Sequence, residues 1–216
     1  MAENNAINKQ TEDLIINKAA GDPYVNFQIG GVDEFVIGVD DSDADALKLN
    51  QGGSSPSGGT TTFSMSASGE MNMPVQPAFL AYSASGQTNV TGNGGVVTIQ
   101  FDTESFDQAS DFNTGTYTFT TPITGRYFLN SKVLARAVGA ATGVLVSLIT
   151  SNATYTFNDS GNPNAASDED QMTKVVADMD AADTAYTTLT ITGLAGNTAG
   201  YFGGYAYTNI GGILLC

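Results

Sequence analysis

The chain has 216 residues, of which 7 are Lys or Arg and 22 are Asp or Glu, for a formal net charge of −15; it has no His, no Trp and one Cys, Cys216. Without His there is no Ser-His-Asp triad and no imidazole metal ligand; with one Cys there is no Cys-rich zinc site, iron–sulfur cluster or intrachain disulfide. The negative charge opposes nucleic acid and anionic lipid, no apolar run approaches the roughly 18 residues of a membrane-spanning helix, and Met1-Ala2-Glu3-Asn4-Asn5 lacks the basic and apolar regions of a secretion signal.

Hydrophobic residues make up 41% of the chain, and 25 glycines with abundant Thr favour short strands and turns over helices. Residues 1–20 read as a polar arm carrying one apolar cluster, Leu14-Ile15-Ile16. Three short bursts follow, each closed by a turn cluster. Alternation places Val25, Phe27 and Ile29 on one face of the first, Phe35, Ile37 and Val39 on one face of the second, and Leu47 and Leu49 on one face of the third. Eight such side chains are too few to close a core alone. Identical copies packing these faces about a shared axis would supply the missing burial, which makes 21–76 a β-stalk. Within it, residues 52–62 (GGSSPSGGTTT) read as a flexible loop or hinge. A short strand follows near 63–68, then a turn at Gly69-Glu70.

From residue 77 the strands lengthen. Ten are expected: 78–83, 96–101, 115–120, 125–137, 143–149, 154–157, 174–179, 185–191, 201–207 and 211–215. Ten strands separated by turns predict a β-sandwich or jelly roll. Only 168–182 has a helix-like composition.

Few residues suggest chemistry. Asp40, Asp41, Asp43 and Asp45 open like a calcium loop counted from Asp41, but Ala46 stands where Gly is needed and Gly52 where Glu is needed, so a solvated turn is the simpler reading. Threefold clustering would be needed to make Asp41, Asp43 and Asp45 a shared cation site; no cofactor is expected, and calcium is the one candidate ion. Ser167-Asp168-Glu169-Asp170 reads as an exposed acidic loop, and the pair Asp102 and Glu104 lacks the buried environment that an acid catalyst needs. Tyr201, Phe202, Tyr205 and Tyr207 form either a glycan-stacking surface or a strand packed on the core.

Residues 77–216 resemble the globular head of the complement C1q and tumour-necrosis-factor superfamily. The resemblance runs through Gln76-Pro77-Ala78-Phe79-Leu80-Ala81, Ile99-Gln100-Phe101-Asp102, and Thr118-Phe119-Thr120-Thr121-Pro122-Ile123-Thr124-Gly125-Arg126-Tyr127-Phe128, with Phe128 one place early. It continues at Met179-Asp180-Ala181-Ala182-Asp183-Thr184, with Ala182 where Gly is usual, and at Ile210-Gly211-Gly212-Ile213-Leu214-Leu215. The family implies a trimer, with Phe101, Phe119, Gly125, Tyr127, Phe128 and Gly212 in the head core or at the threefold contact. Gly21-Asp22-Pro23-Tyr24-Val25-Asn26-Phe27 and Phe35-Val36-Ile37-Gly38-Val39-Asp40-Asp41-Ser42-Asp43 resemble stalk repeats of bacteriophage fibre proteins.

Together these readings predict an all-β protein: an attachment arm (1–20), a short trimeric β-stalk (21–76) and a ten-stranded C1q-like jelly-roll head (77–216). The expected function is non-enzymatic, a homotrimeric fibre, knob or capsid decoration on the exterior of a bacteriophage virion. Its arm would meet other virion proteins, and its head would bind a host-surface glycan or protein or stabilise the particle, with no nucleic-acid partner and no membrane insertion. The alternative is a secreted bacterial C1q-like adhesin or lectin. A trimeric depolymerase would need a longer, repetitive β-helix.

Overall fold

Period-two alternation broken by paired glycines yields, in the first part of the chain, an antiparallel meander. The computed structural model describes residues 15–159 and 168–216, so most of the expected attachment arm lies outside the described residues. The chain divides into two compact units, Met1–Val75 and Gln76–Cys216. In the first, β1 (Tyr24–Ile29), β2 (Val32–Asp40), β3 (Ala46–Gln51), β4 (Thr60–Met65) and β5 (Met71–Asn72) form one five-stranded sheet in sequence order. Gly30 and Gly31 have φ of +61° and +84° and close the β1–β2 hairpin, where both central residues need the left-handed region. A 3-10 turn at Asp41–Asp43 joins β2 to β3, capped by the Asp40 side chain accepting from the Ser42 N–H.

The segment expected to be a flexible hinge is instead pinned. Asn50, 1% exposed, donates from Nδ2 to the carbonyls of Pro56 (2.7 Å) and Gly58 (2.6 Å). Pro56 is buried, and β4 already begins at Thr60. One buried amide replaces the side-chain packing that a Gly/Ser loop cannot provide.

The second unit is a sandwich of two antiparallel sheets, with thirteen strands among the described residues instead of ten. One sheet runs β10 (Phe112–Asn113), β11 (Thr118–Thr120), β16 (Thr184–Thr192), β13 (Gly143–Thr150) and β14 (Thr154–Asp159), with β8 (Val96–Thr98) also on β16. The other runs β7 (Gly86–Thr91), β17 (Ala199–Phe202), β12 (Gly125–Arg136), β18 (Thr208–Leu214), β6 (Ala78–Tyr82) and β9 (Thr103–Asp107), with β15 (Asp168–Met179) on β12. The helix-like stretch is therefore a strand over Asp168–Met179, its alternate residues Gln171, Thr173, Ala177 and Met179 buried.

The expected strand 96–101 ends at Thr98 because the chain crosses there between the sheets. Ile99 and Phe101 both drop into the core, and the Gln100 N–H donates to the phenol oxygen of Tyr201 at 3.0 Å. The expected strand 201–207 is likewise cut short: β17 ends at Phe202, residues 203–207 form a turn, and β18 begins only at Thr208.

Between the sheets, Phe79 stacks on Phe112 and Phe119 at 5.1 and 4.6 Å, and Phe119 meets Tyr127 at 5.6 Å. Tyr127 donates its hydroxyl to the Ile123 carbonyl at 2.7 Å. Buried Thr187 donates to Ser131 across the sandwich at 2.9 Å. Crowding explains two glycines: a Cβ at Gly212 would lie 2.7 Å from Phe79 and Leu129 atoms, and one at Gly125 would lie 2.6 Å from Leu214 and 2.7 Å from the Cys216 carbonyl.

At the turn before β16, Ala182 has φ of +73° and donates its N–H to the Thr121 carbonyl at 2.8 Å. A left-handed conformation costs an L-residue roughly 1–2 kcal/mol, part of which glycine returns through its larger unfolded-state entropy. Ala182→Gly should therefore stabilise the unit by about 0.5 kcal/mol, raising Tm by about 1–2 °C in a thermal melt.

Candidate functional site

Cross-strand register gathers the residues expected in a stalk interior onto one face. Val25 lies opposite Ile37, Phe27 opposite Phe35, Val39 opposite Leu47, and Ile37 opposite Leu49. Leu49 then faces Phe63, Leu47 faces Met65, and Met65 faces Met71. All eight residues expected in a stalk interior share this face, joined by Val32, Phe63, Met65 and Met71, which the sequence reading did not include. In the single chain the face is uncovered: Phe27 is 54%, Ile29 73%, Val32 61% and Met71 72% exposed.

The opposite face is polar and partly covered by its own chain. Asp33 accepts from Asn26 and Gln28 at 2.7 and 2.5 Å, and these bonds hold its carboxyl below the usual aspartate range, the one from Gln28 most strongly. Val36, opposite Asn50, is fully buried on this side, where Asn50 holds the 52–59 loop.

The acidic turn does not assemble a cation site. Lys48, on β3, reaches Asp40 and Asp43, each at 2.7 Å. Asp41 accepts from the Gly21 N–H at 3.0 Å, and Asp45 is exposed in a left-handed conformation. Among the described residues no group of three or more metal-ligating side chains comes together. Within one chain the trio Asp41, Asp43 and Asp45 is engaged separately: Asp43 holds Lys48, Asp41 caps the Gly21 N–H, and Asp45 faces solvent.

In the second unit, Phe101, Phe119 and Tyr127 are core residues, whereas Phe128 points out. Phe128 sits between Val176 and Ile213, and the same outer face carries Leu80 beside Phe106, and Met172 beside Lys132. Met172, Val176, Ile213 and Phe106 are exposed.

The four clustered aromatics divide. Tyr201 is fully buried and belongs to the core; it is not a ligand surface, because its ring lies between the sheets and its hydroxyl accepts from Gln100. Tyr205 and Tyr207 are exposed; Tyr205 meets Tyr82 edge-on at 6.0 Å, and Phe202 lies 4.5 Å beneath the Arg136 guanidinium. Lys132 borders this patch, bound to Asp170 at 3.0 Å and to the Ala206 carbonyl at 2.9 Å.

The acid pairs serve turns. Asp102 accepts from the Ala84 N–H at 2.8 Å. Burial, then the neighbouring Asp107, pushes Asp111 up, while Asp107 spends both oxygens on the N–H groups of Asp111 and Phe112.

The Lys48 bond to Asp40, followed by that of Ser42, holds the Asp40 carboxyl below its ordinary value of 3.8. Its stabilising contribution is full above that value and is lost as pH falls through the lower folded one. Lys48→Met should cost about 1–3 kcal/mol at neutral pH by leaving the buried carboxylate without its main partner, and acid unfolding should begin at higher pH than in the parent, as read by circular dichroism.

No curated protein matches the chain. Among solved structures, the globular domain of zebrafish complement 1qA protein is 13% identical, with a TM-score of 0.47, covering 65% of this chain and 98% of its own. Murine APRIL at pH 8.0 is 14% identical with a TM-score of 0.47, and at pH 5.0 14% identical with 0.45; each pairing covers 65% of this chain and 99% of the other. The model of the C1q domain matches residues 81–207. With more than half its length so matched, and with an all-β, jelly-roll-like sandwich, the chain belongs to the C1q domain family.

Proposed function

We propose that the protein is a non-enzymatic, homotrimeric structural component of a bacteriophage virion exterior, a fibre, knob or capsid decoration. The observation that carries the assembly is apolar surface that one chain leaves bare: the row Val176, Phe128 and Ile213, with Leu80 and Phe106 beside it, on the outer face of the seven-stranded sheet. Three copies around an axis bury such faces and remove sheet edges together. C1q-like domains commonly assemble in this way, which supports the same reading. The viral assignment rests on the resemblance of residues 21–43 to fibre stalk repeats, and the segment before them is the attachment arm. The head would then contact the host surface or brace the particle.

The exposed Tyr205 and Tyr207, with half-buried Tyr82 beside them and Arg136 and Lys132 at the border, favour a second reading, an adhesin or lectin that stacks sugar rings on aromatic faces.

Native mass spectrometry should give three times 22.3 kDa; a stable monomer at micromolar concentration contradicts the assembly. Antibody raised against the protein should decorate the exterior of purified phage particles. Labelling of bacterial surfaces without phage, together with glycan binding lost in Tyr205→Ala, favours the adhesin.

A further inference from the structure

The N-terminal sheet presents an apolar face with no cover and two open edges, and the geometry points to two further copies of this chain as the occupant: we infer that residues 24–65 of three chains close into a three-sided β-prism in which β1 of each pairs with β4 of the next. This rests on the trimeric reading above and adds to it a specific contact.

Three observations fit together. The opposite face is polar and carries the 52–59 loop that Asn50 holds, with its one large apolar residue, Val36, buried, so apolar burial is wanting on one side alone. The edges are open in a complementary way. β1 is paired on one side by β2, and among the described residues no strand lies on its outer side. β5 covers only Ser64 and Met65 of β4, which leaves Thr60–Phe63 unpaired on that side. The meander alternates direction, so β1 runs opposite to β4. A neighbour turned about an axis along the strands therefore brings its β1 antiparallel to that free stretch. This is a head-to-tail contact, which closes into a ring when the rotation fits.

The dimensions also agree. Four full strands per chain at about 4.8 Å make a wall about 19 Å wide, and three such walls enclose an axis about 5.5 Å from each. Packed sheets stand about 10 Å apart, so each wall fills about 5 Å with its own side chains. One layer of side chains from each wall, led by Leu47 and Leu49 on the middle strands, thus fills the prism. Four chains would leave a central void. Phe27 and Ile29 from one chain then meet Phe63 and Met65 of the next at each corner.

The full-length protein tests this with Phe27→Cys and Phe63→Cys combined in a Cys216→Ser background. Within one chain these positions are three strand spacings apart, roughly 14 Å, and a disulfide needs Cα atoms within about 7 Å. A bond between them, or a bridge by a short bis-maleimide, must therefore join two chains. The expected result is a covalent trimer on a non-reducing gel, with no trimer from either single variant. Covalent dimers as the end product overturn the prism. Absent cross-linking in a protein that native mass spectrometry reads as trimeric overturns the prism and leaves the trimeric reading standing; a monomeric parent overturns both. Hydrogen exchange on the unmodified protein reads the same contact should the double variant misfold. The outward β1 amides should exchange roughly a hundredfold more slowly than those of an open edge. Exchange at the open-edge rate overturns the inference, as does protection that appears only when lipid vesicles or another protein are added.

Discussion

A β-sheet has two faces, and each apolar one must find a cover, because water around exposed hydrocarbon costs free energy in proportion to its area. The two units meet this demand differently. In the second, the sheets cover each other, and Phe79, Phe112, Phe119 and Tyr127 fill the gap. In the first, a single layer carries its own 52–59 loop on one side, and on the other side no described residue covers it. Patches on monomeric proteins seldom exceed roughly 300–600 Å²; a face with twelve apolar residues on five strands is at or beyond that scale. The proposed β-prism follows from this one imbalance.

The polar side explains why the sheet keeps one register. Slipping a strand by one residue would move Lys48 and Asn50 to the apolar face and Leu47 and Leu49 to the polar one. Lys48 would lose Asp40 and Asp43, and Asn50 would release the loop. The ionic and amide contacts therefore also specify which side chains stay uncovered for a partner.

Much of this was legible in the sequence. Gly30-Gly31 and strict alternation marked β1 and β2, and the face shared by Val25, Phe27, Ile37 and Leu49 followed from period two. Other features left no local signal. Strand β7 (Gly86–Thr91) has one large apolar residue, Val90, and β9 holds Phe106 on an outer face, so neither shows a core-facing alternation. The break after Thr98 depends on Tyr201, a hundred residues away, capping the Gln100 N–H. Tyr201 and Tyr205 look alike in sequence, yet one lies between the sheets and the other on a turn. Phe128 was placed near either the core or a contact, and only the register against Val176 and Ile213 turns it outward. The glycines and serines of 52–62 read as a flexible hinge, whereas β4 begins within that segment and the order of the rest comes from Asn50, just outside it.

Hydroxyl-radical footprinting of the unmodified protein, read by mass spectrometry, tests most directly whether copies of the chain cover the N-terminal face. In a lone chain Phe27, Phe35 and Met71 are open to solvent, 54%, 44% and 72% exposed. The account predicts that Phe27 and Phe35 are oxidised as slowly as the core residues Phe79 and Phe119, and that they become reactive when the assembly is dissociated. Oxidation of Phe27 and Phe35 at the rate of freely exposed side chains in the intact, native protein would contradict it.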